Sequence, residues 1–321
     1  MDDYKELDDR EILSIVNDNI HRSVGYYDSQ LSRERQKVTE YYNASLPKPA
    51  HDGNSKYVSQ DVYNAVESLK AGLLETFSAG RNIAKFAPVG ADDVLKAEVA
   101  SRYIDHVLFS QNDFYSIAST VIHDGLTSRV GICKVYWEER EEYDYRDFEG
   151  ITQDQLDMLL AEDGTDLVES ETEYGMVSGT ISVASDASQV VMMSVPPEQF
   201  LIEPQARSLD DINFCAHRCP KTLSELREMG FTDEQLENIG DHEDVEMETD
   251  PEVLARHEEI GQDRGFNAHG YQDQVRSVLV YECYMNVDID GSGIARLHKI
   301  TKAGNALLDV EEVDRAPFCT F

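Results

Sequence analysis

Residues 131–137, Gly-Ile-Cys-Lys-Val-Tyr-Trp, mark the point at which the chain changes character. Before them, apolar residues recur at helical spacing. From Ile132 the run is aromatic and β-branched, as strands prefer. The two sides together predict an α+β fold: a mainly helical region over 1–130 and a β-rich region over 131–321. In this reading an N-terminal helical layer packs on a mixed, mainly antiparallel β-sheet.

Upstream, Leu7, Ile12, Ile15, Val16 and Ile20 follow the acidic Asp8-Asp9 at helical spacing. The pattern continues through Leu31 and Val38 to Tyr41-Tyr42, where Leu46-Pro47-Lys48-Pro49 breaks it. A second helix is predicted over about 59–77, with Val62, Val66, Leu69, Leu73 and Leu74 on one stripe. Such a stripe predicts a core-facing side rather than a partner groove. Residues 83–88 predict a short strand closed by Pro88, and further helices are predicted over about 91–110 and 114–128.

Downstream, residues 138–174 hold 15 acids and 2 bases. Thr152-Gln153-Asp154-Gln155 is a capping box that opens a short helix. Residues 171–184 and 189–195 read as paired strands, so the segment predicts an extended acidic β-hairpin arm with a small helix at its tip. Residues 212–219 read as a strand. Capping boxes at Thr222 and Thr232 predict two short helices separated at Gly230. Residues 233–259 hold 12 acids and 1 base with few large apolar residues, the composition of a solvated loop. Strands resume at 275–288 and 294–300.

These two segments hold about two-thirds of the excess charge in a chain of 63 acids and 28 bases, net -35 over 321 residues. A surface this negative repels phosphate and anionic headgroups, which argues against a nucleic-acid reader or a membrane-surface protein. Hydrophobic residues at 41%, with 16 Tyr and 11 Phe, argue against disorder. No apolar run approaches the roughly 18 residues needed to span a bilayer. Met1-Asp2-Asp3-Tyr4-Lys5-Glu6 does not read as a signal peptide. Five scattered cysteines, mostly in apolar surroundings, fit buried reduced thiols in a cytosolically made protein.

Candidate chemistry is sparse. Asn286-Val287-Asp288-Ile289-Asp290-Gly291 fills the early positions of a calcium loop, with Asp288 and Asp290 as weak metal candidates. Leu297 stands where the bidentate Glu belongs, and the flanks read as strands, so an Asp-Gly hairpin turn is the preferred reading. Cys215, His217 and Cys219 share one face of a strand but lack a fourth ligand for structural zinc. His257-Glu258-Glu259 lacks the second histidine of a zinc-protease helix. There is no phosphate-binding glycine loop and no nucleophile elbow. The residues predict no enzyme, no catalytic residue and no cofactor. A rival reading is an acidic Ca2+-stabilised binding module, in which divalent ions relieve self-repulsion.

Three stretches taken in order resemble a known family: Tyr57 to Pro88, Asp113 to Glu139, and the pair 194–231 and 278–300. They resemble the wing region of portal proteins of short-tailed, double-stranded DNA bacteriophages, of the P22-like kind. The resemblance implies a structural homo-oligomer, a dodecameric ring at one capsid vertex of the virion, made in the bacterial host cytoplasm. It implies genome packaging and ejection, with dsDNA passing through the ring without sequence-specific binding. Implied partners are the terminase large subunit, capsid and scaffolding proteins, and the tail adaptor. It also implies that stem, clip and crown would follow residue 321, so the chain reads as an N-terminal or truncated part.

Overall fold

The computed structural model describes residues 6–27, 31–48, 51, 53–55, 57–78, 83–206, 208–209, 212–237, 239 and 277–321. In chain order the described elements begin with helices α1 (Asp9–Tyr26), α2 (Ser32–Tyr42), α3 (Asp61–Ser78), α4 (Val94–His106) and α5 (Phe114–Ser128). Then come β1 (Ile132–Glu138), β2 (Glu141–Ile151), α6 (Gln153–Leu160), β3 (Thr165–Glu173), β4 (Met176–Asp186) and β5 (Gln189–Val195). After β6 (Phe200–Ile202) and β7 (Phe214–Thr222), helices α7 (Leu223–Glu228) and α8 (Asp233–Glu237) follow. The described chain ends with β8 (Ser277–Val287), β9 (Arg296–Ala303), β10 (Ala306–Glu312) and β11 (Phe318–Thr320). The fold is α+β. Most of the predicted acidic loop, residues 240–259 with His257, lies outside the described residues.

The chain forms two compact units. The larger holds residues 1–83, 114–134 and 193–321, and the smaller holds 84–113 and 135–192.

The larger unit is built on a five-stranded sheet in the order β10-β9-β8-β7-β6, antiparallel throughout. Side chains alternate across a strand, so each strand feeds two faces. On one face Phe214, Ala216, Leu279, Tyr281, Cys283, Met285 and Ile300 close against Ile12, Val16 and Ile20 of α1. Those three α1 residues sit four apart, on one side of the helix. The helix starts where the sequence caps it: Asp8 accepts from the Glu11 N–H (2.8 Å) and Glu11 accepts from the Asp8 N–H (3.0 Å). Burying a side chain such as Val16 contributes about 1.5–3 kcal/mol, and Val16→Asp would put an unpaired charge in this layer.

On the other face Cys215, Tyr284 and Phe200 pack with Ile132, Val195 and Phe318. The last three come from the strands of a second sheet, ordered β11-β1-β5. Towards one end, α7 and α8 place Leu223, Leu226 and Leu236 on Val278, Val280, Ala306 and Leu308. The Thr222 capping box that opens α7 is present, with the Glu225 N–H donating to Thr222 Oγ1 at 3.2 Å. Gly131 admits β1 beside α5. A Cβ there would fall 2.0 Å from the Val121 carbonyl oxygen, so no other residue fits without moving backbone.

In the smaller unit the acidic arm is a three-stranded sheet, β2-β4-β3. The expected pairing of 171–184 with 189–195 is corrected. The chain turns at Tyr174-Gly175, both with positive φ, and β4 pairs with β2 and β3. Both edges of β4 are thereby taken, and β5 pairs with β1 instead. The helix expected in the arm is α6, capped by Thr152 and anchored by the buried Leu156. The expected strand at 83–88 is also corrected. Residues 85–88 join no sheet, and the Phe86 N–H is satisfied by Ser101 Oγ at 3.0 Å. The helix over 94–106 ends in a wide π turn, Val107–Gln111. Asn112 ties that end to β5: its amide donates to the Val107 and Val190 carbonyls (both 2.9 Å) and accepts from the Met192 N–H (2.8 Å).

Candidate functional site

The interior of the larger unit holds a cluster of charge. Lys134 of β1 donates to Glu282 of β8, and both side chains are nearly buried. His217 of β7 lies opposite Glu282 in the β7–β8 register. Burial, then the Lys134 charge, pushes the His217 ring down to about 4. Burial pushes the Glu282 carboxyl up, but the Lys134 charge and hydrogen bond outweigh it and hold the group below its ordinary value. The same strand face carries Cys215 and Cys219. Burial pushes the Cys215 thiol up to about 12 and also raises Cys219. Thiols held protonated are poor nucleophiles and poor ligands. In the strand Cys215 is buried and Cys219 partly buried, and His217 Nε2 lies 3.4 Å from Gln199 Oε1. Among the described residues no group of three or more His, Cys, Asp or Glu is placed to hold a metal.

Asp288 and Asp290 lie in the turn between β8 and β9. Asp288 Oδ1 accepts from the Ser292 N–H (2.9 Å) and hydroxyl (3.3 Å), and Oδ2 accepts from the Gly293 N–H (2.6 Å). Local desolvation pushes this carboxyl up, but the hydrogen bonds from Gly293 and Ser292 prevail and lower it. Both Asp288 oxygens thus bind the turn's own donors, with Gly291 and Gly293 supplying its positive-φ positions.

Each unit has a helix that leaves apolar residues exposed. The α3 stripe is only partly core. Leu74 is buried, but Val62 is exposed and Leu69 is 58% exposed. Beside Leu74, Glu67 of α3 accepts from the Tyr42 hydroxyl of α2 (2.8 Å) and from Lys70 Nζ of its own helix (2.7 Å). The Lys70 hydrogen bond, with help from Tyr42, lowers the Glu67 carboxyl. In the smaller unit α4 has no buried residue at all. Its Val94, Leu95, Val99 and Tyr103 are exposed, Leu95 by 72%.

The arm sheet carries a second surface. Val177 and Ile181 lie on one face of β4 and are buried, while Thr180, partly exposed, and Ser182, itself buried, lie on the other. Beside them the register sets Asp147 and Glu169 against Thr180, and Tyr145 and Asp166 against Ser182. Thr180 donates to Asp147 Oδ1 at 2.7 Å. Arg146 points to the opposite face from Tyr145 and pairs with Asp144 (2.9 Å). This face is hydroxyl-floored and edged by carboxylates.

Among the described residues no helix is long and apolar enough to cross a membrane. No motif singles out Lys134 or Glu282, although Glu282 is the one charge in the otherwise uncharged Ser277–Val287 strand.

A search of curated proteins finds no match to the chain. A family model described as phage SU10 portal protein matches residues 12–321. That match spans nearly the whole chain, and it agrees with the resemblance carried by the helix-to-strand segments around Gly131. The chain belongs to the phage SU10 portal protein family.

Proposed function

We propose that the chain is a subunit of a portal ring, the head–tail connector at the capsid vertex of a phage particle, through which double-stranded DNA is packaged and ejected. The observation that carries this reading is the family match over residues 12–321. In this role the protein is structural. Its partners are further copies of itself, twelve in the family, together with the terminase large subunit, capsid and scaffolding proteins, and the tail adaptor.

Two features support the reading. The exposed apolar residues of α3 and α4 are the kind of surface that a neighbouring subunit covers. A net charge of -35 also suits a conduit, since a wall that repels phosphate lets DNA slide. Sedimentation velocity over a range of concentrations tests the reading. Self-association is expected, and Leu95→Glu with Val99→Glu should weaken it without lowering the melting temperature. A wild-type chain that stays monomeric at every concentration would contradict it.

A further inference from the structure

The β1–β11 register sets Cys133 directly opposite Cys319. Ile132, Lys134 and Phe318 are buried, so the two cysteines share the other face of this antiparallel pair. Both are free thiols; Cys133 is partly buried and Cys319 exposed. Gly131 and Phe321 exchange both backbone hydrogen bonds (3.0 and 2.8 Å). Two residues along, Cys133 and Cys319 are therefore also a hydrogen-bonded pair, with Cα atoms about 5.5 Å apart. A disulfide accepts Cα separations of about 4.4–6.8 Å. The remaining cysteines have no such partner: Cys215 faces Tyr284, Cys283 faces Ala216 and Cys219 faces Val280.

We propose that Cys133 and Cys319 form a reversible cross-strand disulfide by exchange with a low-molecular-weight disulfide such as oxidised glutathione, fastening β11 to β1. The exposed Cys319 thiol loses its proton, and its sulfur attacks one sulfur of the glutathione disulfide. That S–S bond breaks, and the first glutathione leaves as a thiolate and takes up a proton. Cys133 then loses its proton and attacks the Cys319 sulfur of the mixed disulfide, releasing the second glutathione. Two protein thiols give up two electrons, and one small disulfide becomes two thiols.

Two features set the character of the bond. Burial, then the neighbouring Cys319, pushes the Cys133 thiol up to about 11, so closure is the slow step and the mixed adduct appears first. Directly opposed Cβ atoms in a hydrogen-bonded pair stand up to about 5.5 Å apart, wider than a relaxed disulfide wants. Closure must draw in β11, a three-residue strand at the sheet edge that can yield. A bond closed under such strain is readily reduced again.

The test treats the folded chain with oxidised glutathione, quenches with an alkylating agent, and maps peptides by mass spectrometry without reduction. A glutathione adduct on Cys319 should appear first. It should give way to a peptide pair linking Cys133 to Cys319 within one chain, about 2 Da lighter than the reduced form. The closure rate should rise about tenfold per pH unit through the neutral range. Cys133→Ser should stop at the adduct, Cys219→Ser should behave as wild type, and reduced glutathione should reopen the bond. A wild-type chain that stops at the adduct, links only between chains, or links a different cysteine would overturn the proposal, whatever the folding of the variants.

Discussion

Lys134 of β1 and Glu282 of β8 form an ion pair in the interior of the larger unit, joining the three-stranded sheet to the five-stranded one. A buried pair is costly to assemble and costlier to break on one side. Lys134→Met or Glu282→Leu alone should lose about 3–5 kcal/mol in chemical denaturation. The double substitution should lose much less than the sum, because neither charge is then stranded. Additive losses would show that the two groups do not depend on each other.

His217 makes stability fall in mild acid. The unfolded ring takes a proton near pH 6.5, whereas the folded ring refuses one until about 4. Stability should therefore be fully present above pH 6.5 and drop by about 3 kcal/mol on acidification to pH 4. Glu282 acts on the acid side of the same range. Its lowered carboxyl adds stability above its ordinary value, which is lost as pH falls through the folded value. His217→Leu should flatten the slope between pH 6.5 and 4, read as the urea midpoint against pH. An unchanged slope would remove the histidine from the account.

Phe318 holds β11 in place. Its ring meets Phe200 edge-on at 5.0 Å and Tyr284 at 5.4 Å between centroids. Phe318→Ala should cost about 3–5 kcal/mol and speed amide exchange at Gly131 and Phe321. Exchange unaltered at both amides would show that β11 is held by its backbone alone.

Free DNA should be held weakly. At physiological salt the affinity of the chain for duplex DNA should be poorer than the roughly 10⁻⁴–10⁻⁶ M of ordinary non-specific binders. Tight binding that weakens steeply with salt, measured by fluorescence anisotropy, would contradict the conduit reading.

Much of this fold is legible in local pattern. Periodicity marks α1, the β-branched run marks β1, and the Thr152 and Thr222 boxes mark the starts of α6 and α7. What local pattern lacks is pairing. β4 and β5 sit two residues apart, yet β4 is taken by β2 and β3, and β5 finds β1 more than fifty residues back. Residues 85–88 carry strand-favouring residue types, but a strand needs a ladder, and these residues join none. The strand Ala306–Glu312 has no local signature, its Leu-Leu-Asp-Val-Glu-Glu too short and mixed to announce a period. The α3 stripe shows the deeper limit. Spacing reveals an apolar face but not what covers it, so Leu69 reads as core although it is exposed within its own chain.

If the chain occupies the portal vertex as proposed, immunoelectron microscopy of phage particles will show it there. Antibodies against the chain, applied to particles opened enough to admit them, should label a single vertex, the one that carries the tail. Label spread over the whole shell, or absent from particles that package DNA normally, would contradict the account.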